Sequence, residues 1–309
     1  MARVLVTGGA GFIGSHLTET LVKRGDEVRV IDNFSSGSQS NLAGLEDKIE
    51  LIRGDLRNRD QVQAGVSNVD FIFHLAAYVS VPQSIENPRD CYETNVNGTI
   101  ELLEAARQAG VRRVVLASSA AVYGSSQELP QRESARTMCL SPYAASKQFG
   151  ETLGELHFLT RQLPVVALRY FNVYGPRQSP FSAYAAVIPQ FIRRLKAGQA
   201  PLVYGDGQQT RDFIYVSDVV RANLLASEAE GAAGQVFNIC SGAETSLLDL
   251  LEVLGSIFPT APYAEFTDPR PGDVPRSLGD PNLADKALGF RANISLAEGL
   301  QSCVAEWRE

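Results

Sequence analysis

Histidine and cysteine are scarce in this chain of 309 residues, with three histidines (His16, His74, His157) and four cysteines (Cys91, Cys139, Cys240, Cys303). They stand far apart and in no metal-ligand spacing, so neither a Cys/His zinc site nor any other metal centre is expected. Isolated cysteines suit reduced thiols in the cytoplasm better than a disulfide scaffold. No apolar run reaches the roughly 18 residues that suggest a membrane helix. The opening Met1-Ala2-Arg3-Val4-Leu5-Val6 runs straight into a glycine turn, which is unlike a signal peptide. The expectation is a cytoplasmic protein with no membrane partner. Positive charge is also in short supply: 28 Lys and Arg against 35 Asp and Glu give a net charge of −7, mixed along the chain. Nucleic acids and anionic membranes call for concentrated positive charge, so neither is an expected partner. A small anionic substrate stays open, because a few placed arginines suffice to hold one.

What is present is ordinary for a large globular fold, 44 % hydrophobic and 20 % charged. Such a chain buries a sizeable core without disulfides or metals. Short β-branched runs at Val4–Val6, Val28–Ile31, Ile49–Ile52, Phe71–His74, Val114–Ala117 and Val165–Leu168 read as buried strands. They alternate with amphipathic segments at Gly14–Arg24, Tyr92–Gln108 and Tyr143–Leu159. That alternation predicts an α/β fold, a Rossmann-type doubly wound parallel sheet covered on both faces. The second half is richer in turns, as at Tyr174–Pro180 and Tyr204–Gly207, and the late apolar run Val236–Cys240 suits a strand returning to the main sheet. The expected organisation is therefore interleaved. Residues 1–172, with a returning segment near 210–242, form a dinucleotide-binding Rossmann domain. Residues 173–209 and 243–309 form a smaller substrate domain.

Thr7-Gly8-Gly9-Ala10-Gly11-Phe12-Ile13-Gly14 follows a strand and opens a helix. Glycines at 8, 11 and 14 permit a tight turn, close approach of backbone to a pyrophosphate, and close helix–strand packing; the helix N-terminus offers N–H groups to phosphate. The next strand ends in Asp32, an acid placed to accept from both ribose hydroxyls and to repel a 2′-phosphate, which favours NAD over NADP. Asp55-Leu56 after Ile49–Ile52 can bring a carboxylate and an apolar contact to the adenine, although Gly-Asp also makes an ordinary turn.

Tyr143 and Lys147 lie one helical turn apart on one face. A free tyrosine titrates near 10, roughly 3 units too high for an efficient base at neutral pH; a nearby ammonium and a positive nicotinamide ring both favour the phenolate. Ser119, at the end of a strand, can hydrogen-bond the reacting oxygen. This set is read as oxidising a hydroxyl group. Phe149, Leu153 and Leu156 make an apolar stripe away from Lys147, matched by Val96, Ile100 and Leu103 on the preceding helix. Either a second subunit covers these stripes, giving a homodimer, or they are core.

In this order, Thr7–Gly14, His74-Leu75-Ala76-Ala77, Asn95-Val96-Asn97-Gly98, Ser118–Gly124, Tyr143–Lys147, Arg169–Pro176, Arg211-Asp212 and Arg270-Pro271-Gly272-Asp273 resemble the extended short-chain dehydrogenases/reductases of the NAD-dependent epimerase/dehydratase family. Within it they look most like UDP-glucose (UDP-galactose) 4-epimerases, over essentially the whole length. The resemblance implies that Gly8, Gly11, Phe12, Ile13, Gly14, Asp32, Asn33, Asp55, Leu56, Leu75, Ala76, Ala77, Asn95, Ser118, Tyr143, Lys147 and Tyr170 contact NAD. It implies that Ser119 and Tyr143 meet the sugar hydroxyl, and that Asn172, Arg211, Arg270 and Asp273 hold the nucleotide diphosphate and its ribose, with Tyr204 along the uracil. Each of the four diphosphate and ribose contacts, Asn172, Arg211, Arg270 and Asp273, taken alone could equally be a surface salt-bridge residue. Val187 falls in Tyr184–Pro189, a stretch similar to relatives that tolerate N-acetyl sugars. Ser277 stands where relatives carry either a bulky tyrosine or a small residue, and a small one leaves room at sugar C2.

Two departures narrow the reading. Sugar-dehydrating relatives carry Thr-Asp-Glu where this chain has Ser119-Ala120-Ala121, and decarboxylating relatives use an acid in the same stretch. Tyr78-Val79-Ser80-Val81 also lacks a lysine that some 4-epimerases place after Ala77. The resemblance thus implies an NAD-dependent UDP-hexose 4-epimerase working through a 4-keto sugar. Other readings are a UDP-glucuronate, CDP- or GDP-sugar epimerase, a 4-ketosugar reductase, or a catalytically silent NAD-sensing regulator.

Overall fold

Side chains of the first strand, β1 (Arg3–Thr7), alternate between two apolar layers: Val4 and Val6 enter one, Leu5 the other. A strand buried on both faces belongs inside a sheet with helices on each side. A computed structural model describes residues 1–180, 186–259, 263–269 and 274–307 and shows this arrangement. After β1 come α1 (Phe12–Arg24), β2 (Glu27–Asp32), β3 (Ile49–Arg53), α2 (Arg59–Val66), β4 (Phe71–His74), α3 (Val81–Glu86) and α4 (Pro88–Tyr92). A π-helical turn, Glu93–Asn97, leads into α5 (Gly98–Gln108), followed by β5 (Arg113–Ser119), α6 (Pro142–Arg161) and β6 (Val165–Tyr170). The later elements are β7 (Asn172–Tyr174), α7 (Val187–Lys196), β8 (Leu202–Tyr204), β9 (Thr210–Arg211), β10 (Phe213–Tyr215), α8 (Val216–Glu228) and β11 (Val236–Ile239). Last come β12 (Thr245–Ser246), α9 (Leu247–Ile257), β13 (Glu265–Thr267), α10 (Asn282–Leu288) and α11 (Leu296–Ala305).

The central sheet has seven strands in the order β11-β6-β5-β4-β1-β2-β3, all parallel. The expected return of Val236–Cys240 to the sheet is β11, paired with β6. One layer packs Leu17 and Leu21 of α1, Val219 of α8 and Leu288 of α10 against Val6, Val30, Val115 and Phe237. The other packs Val62 of α2 and Leu102 and Leu103 of α5 against Leu5, Ile72 and Leu116. A separate cluster of Ile188, Phe191, Val203, Phe213, Leu250, Leu254 and Leu300 forms the core of the C-terminal half.

Local signals set the ends of the helices. Gly25 ends α1 in the left-handed conformation (φ 86°), which glycine adopts without steric cost. Ser141 caps α6 by accepting from Ala144 N, and Pro142 supplies its first turn. The expected helix Tyr92–Gln108 is helical throughout, with a π turn at Glu93–Asn97 leading into α5. At that turn the Asn95 side chain bonds the backbone of Tyr78 and Ser146, while its carbonyl takes the Thr99 hydroxyl. Leu103 of the expected surface stripe is fully buried in the protein's own core, and Leu153 packs against that core. Phe149 and Leu156 remain exposed.

Between β1 and α1 the backbone folds back so tightly that a Cβ on Gly14 would lie 2.1 Å from Gly8 O. Gly14→Ala is expected to force the loop and helix apart. The measurable results are a stability loss of about 1–3 kcal/mol by denaturant unfolding and loss of the dinucleotide from the purified protein.

Candidate active site

The order of the sheet reverses between β1 and β4, and at such a switch point the strand ends splay to leave a crevice. Here it is a cleft of about 910 Å³ running past the C-terminal ends of β1, β2, β4, β5 and β6. Gly8, Gly11, Phe12, Ile13, Gly14, Asp32, Asn33, Asp55, Leu56, Leu75, Ala76, Ala77, Ser118, Ser119, Tyr143, Lys147 and Tyr170 all line it.

One end suits a dinucleotide. Gly11 caps α1 with no side-chain oxygen on the first-turn amides, which leaves the donors of P-type anion binding to face the crevice. A Cβ on Gly8 (φ +70°) would lie 2.7 Å from Ala76 N, so only glycine lets this backbone line the cradle. Asp32 is almost fully buried; Oδ2 accepts from Ala10 N at 2.9 Å and Oδ1 from Phe34 N at 2.7 Å. The acid thus pins the glycine loop while lining the cleft. Asp55 accepts from Asn33 Nδ2 at 2.9 Å and is gripped by Arg57 through Nε at 2.9 Å and Nη2 at 2.7 Å. The Arg57 hydrogen bond, opposed by burial, holds its carboxyl well below the usual carboxylate range.

At the other end of the cleft, at the C-terminus of β5, Ser119 Oγ accepts from Ala121 N at 3.1 Å. Burial pushes the Tyr143 phenol up, the Ser119 side chain beside it pulls it down, and Cys91 adds a smaller upward push. Lys147 is buried; its Nζ donates to Ala117 O at 2.8 Å and stands 5.8 Å from the Tyr143 ring centroid. Burial lowers it from the ordinary 10.5 to about 8, against upward pulls from Cys91 and Glu151. At neutral pH Lys147 is therefore an ammonium, placed to favour the tyrosinate.

Behind this set runs a fixed chain. Thr7 Oγ1 meets His74 Nδ1 at 2.8 Å, His74 Nε2 meets Thr99 Oγ1 at 2.9 Å, and Thr99 donates to Asn95 O at 2.6 Å. Burial, then the Lys147 charge, holds His74 down at about 3, so the ring is neutral. Since Thr99 spends its proton on Asn95, Nε2 is the donor and Nδ1 accepts from Thr7. Asn95 itself is buried and does not line the cleft. Its Nδ2 donates to Tyr78 O at 3.0 Å and to Ser146 Oγ at 2.9 Å, and Ser146 donates to Tyr143 O at 2.7 Å.

The residues expected at the substrate are more scattered. Arg270 and Asp273 lie outside the described residues. Asn172, Val187, Tyr204, Arg211 and Ser277 do not line the cleft, although Phe171, Val173, Ile188 and Pro189 beside them do. Asn172 Nδ2 donates to Asp212 O at 3.1 Å, and Arg211 Nη1 to Thr210 O at 2.7 Å. Sequence reasoning missed the wall formed by Ser35, Ser36, Ser38 and Ser40 and the far wall of Arg177, Gln178, Cys303, Glu306 and Trp307. Among the described residues no cluster of His, Cys, Asp and Glu could hold a metal ion, and no helix is long and apolar enough to cross a membrane.

A switch-point cleft with a glycine cradle and a Ser–Tyr–Lys set defines a dinucleotide-dependent enzyme of the short-chain dehydrogenase/reductase type. The comparisons with known proteins agree. Residues 4–240 match the model of the NAD dependent epimerase/dehydratase family, and the chain belongs to that family. A UDP-glucose 4-epimerase of Mycolicibacterium smegmatis is 39 % identical, covering 99 % of this chain and 98 % of its own. A UDP-N-acetyl-alpha-D-glucosaminuronate decarboxylase of Bacillus cytotoxicus is 36 % identical, covering 99 % and 98 %. Among solved structures, a UDP-N-acetylglucosamine 4-epimerase from Methanobrevibacter ruminantium, in complex with UDP-N-acetylmuramic acid, superposes with a TM-score of 0.94 at 37 % identity, covering 99 % and 97 %. The protein is thus an NAD-dependent member of a family whose relatives act on nucleotide sugars by more than one reaction.

A lysine whose folded midpoint lies below its unfolded one destabilises the fold wherever it is charged in the unfolded chain. For Lys147 that cost is complete below about 8 and fades as pH rises toward 10.5. Lys147→Met is expected to stabilise the cofactor-free protein at pH 7 by about 2 kcal/mol, after the lost bond to Ala117 is counted. Denaturant unfolding at pH 7 and pH 10 checks it: the gain at the lower pH should nearly vanish at the higher.

Proposed function

We propose that the protein is an NAD-dependent 4-epimerase of UDP-hexoses, acting on UDP-glucose and UDP-galactose with room for their 2-N-acetyl counterparts. The observation that carries this reading is the convergence of Ser119, Tyr143 and Lys147 on the cleft, with alanines at 120 and 121. A base is present beside a hydride-acceptor site, while the neighbouring positions offer no carboxylate for elimination of water or for a decarboxylating step.

NAD held by the glycine cradle at Gly8 and Gly11 and by Asp32 would supply a reversible hydride acceptor, so that no net oxidation would result. Tyr143 as phenolate takes the proton of the sugar 4-hydroxyl as the C4–H bond is broken. Ser119 holds the reacting oxygen, and Lys147 keeps the phenolate low in energy. The 4-keto sugar turns over while its diphosphate stays held, for which Arg211 and Arg270 are the expected cations and Asn172, Tyr204 and Asp273 the nucleotide contacts. Tyr143 then protonates the alkoxide formed on the opposite face. Ser277, half-buried, is the proposed small residue beside C2, a place it takes from the family resemblance. Epimerases of UDP-glucuronate or of CDP- and GDP-sugars use the same set, so base and sugar trials separate them. A silent NAD-sensing regulator has no need of Ser119, Tyr143 and Lys147 together on the cleft wall. The free cysteines fit a cytoplasmic setting.

The test is C4 inversion followed by proton NMR with UDP-glucose and UDP-N-acetylglucosamine, adding no NAD. Both should convert. Tyr143→Phe should lower turnover at least about 10²-fold with NAD still copurifying, and Ser277→Tyr should cost about tenfold or more on the N-acetyl sugar alone. Net oxidation of the sugar with exchanging NAD would sink the epimerase reading.

We further propose a homodimer built on α5 and α6. Supporting it, Phe149, Leu156 and Leu159 of α6 are 43 %, 48 % and 65 % exposed, a run of large apolar groups that a monomer seldom leaves in water. Phe149→Asp with Leu156→Asp should yield monomers by sedimentation velocity; an unchanged mass would exclude this face.

A further inference from the structure

The catalytic face of α6 continues past Lys147. Glu151 is the next residue along it and is as deep, 7 % exposed against 9 % for Lys147. A carboxylate at that depth needs charged or hydrogen-bonding partners, and it draws them from two strands. Arg169 of β6 forks onto it, Nε to Oε1 at 2.9 Å and Nη2 to Oε2 at 2.8 Å. Ser118 of β5 donates its hydroxyl to Oε1. Ser118 and Arg169 are partners in the sheet register, directly before the pair Ser119 and Tyr170, and both of the latter line the cleft. Arg169 is itself anchored: Nη1 donates to Tyr123 Oη at 2.8 Å, and Tyr123 donates to Asn238 Oδ1 at 2.6 Å.

We propose that Glu151 is a positioning residue of the proton-transfer set, locking α6 to β5 and β6 and facing the Lys147 ammonium with a fixed negative charge. The inference rests on the reading of Ser119, Tyr143 and Lys147 given above. Lys147 is faced by Tyr143 and Glu151 from its own helix, by Cys91 of α4 and by His74 of β4. His74 is held neutral by burial, and burial pushes the Cys91 thiol up, so both are uncharged near pH 7. Glu151 is then the anion that Lys147 sees, with Arg169 behind it and Cys139 at its edge. The two members of the buried pair act on Lys147 with opposite sign.

The experiment is a ¹⁵N NMR titration of Lys147 in the NAD-loaded protein, its signal assigned by loss in Lys147→Met, alongside the pH profile of kcat. Glu151→Gln leaves the Arg169 cation unbalanced and should lower the Lys147 midpoint by about one unit. Turnover should then fall about fivefold at pH 8 and hardly at pH 6, the ratio of ammonium fractions for such a shift. Arg169→Met leaves the Glu151 anion unbalanced and should move the midpoint and the alkaline limb of the profile the other way. Either variant decides the matter if the other fails to fold. Because the titration needs no substrate, it also stands if the wild-type protein turns over no nucleotide sugar. An unmoved midpoint in a folded, NAD-bearing variant, or a loss of turnover equal at every pH, would overturn the proposal and leave the pair a simple brace.

Discussion

A lysine and a glutamate are buried one turn apart on a single face of α6, and the rest of the site follows from how that burial is made tolerable. A desolvated ammonium must find an acceptor, and Lys147 finds the carbonyl of Ala117. That bond sets where β5 stands against the helix. Ser118 and Ser119, the next residues of the strand, are thereby delivered to Glu151 and to Tyr143. Close approach is needed as well, and α6 supplies it with glycines on the same side: a Cβ on Gly154 would lie 2.8 Å from Val165 Cγ1. The meeting of Ser119 and Tyr143 on the cleft wall is in this sense a by-product of placing two buried charges at once.

The dinucleotide end depends on a different economy, in which backbone rather than side chain does the binding. Glycine removes the Cβ atoms that would fill the cradle, and Asp32 spends part of its capacity on Ala10 N and Phe34 N to hold the loop in shape. The neutral His74 then carries the position of this loop across the sheet, through Thr7 and Thr99, to the π turn at Asn95. Asn95 braces Ser146 and so the first turn of α6. Cofactor loop and catalytic helix are joined by groups that carry no charge, so their relative placement does not change across the working pH range.

Much of this was legible because its signals are local. β-branched runs marked six strands of the main sheet and the return of β11, the glycine spacing marked the cradle, and Tyr143 with Lys147 marked the helix face. What escaped was built from partners with no common period. Arg169 and Glu151 lie on different elements, and the wall of Arg177, Glu306 and Trp307 joins a turn to the C-terminal helix. Periodicity carries no information about such meetings. The π turn inside the helix over Tyr92–Gln108 escaped for a related reason: Asn95 there bonds the backbone of Tyr78, an element that helical periodicity does not see. For Leu103 and Leu153 the sequence left a second subunit and the core both open, because a helical period gives a face but not which of two neighbours covers it; the core covers these two.

A second buried carboxylate organises the loops that carry Asn172, Arg211 and Ser277. Asp212 accepts from Ser241 N and Oγ at 2.7 Å each, from Gly242 N at 3.0 Å and from Gly279 N at 3.1 Å, while its carbonyl receives both Asn172 N and Nδ2. Burial pushes this carboxyl up and those donors pull it back, so the charge is tolerated only while every loop is in place. Asn172, Arg211 and Ser277 are each attached to that nest directly or within two residues of it. Two carboxylates thus divide the structural labour: Glu151 ties α6 to β5 and β6, and Asp212 ties together the loops that carry Asn172, Arg211 and Ser277. Because the two nests share no residue, a change of side chain at 172, 211 or 277 leaves Ser119, Tyr143 and Lys147 where α6 and β5 hold them.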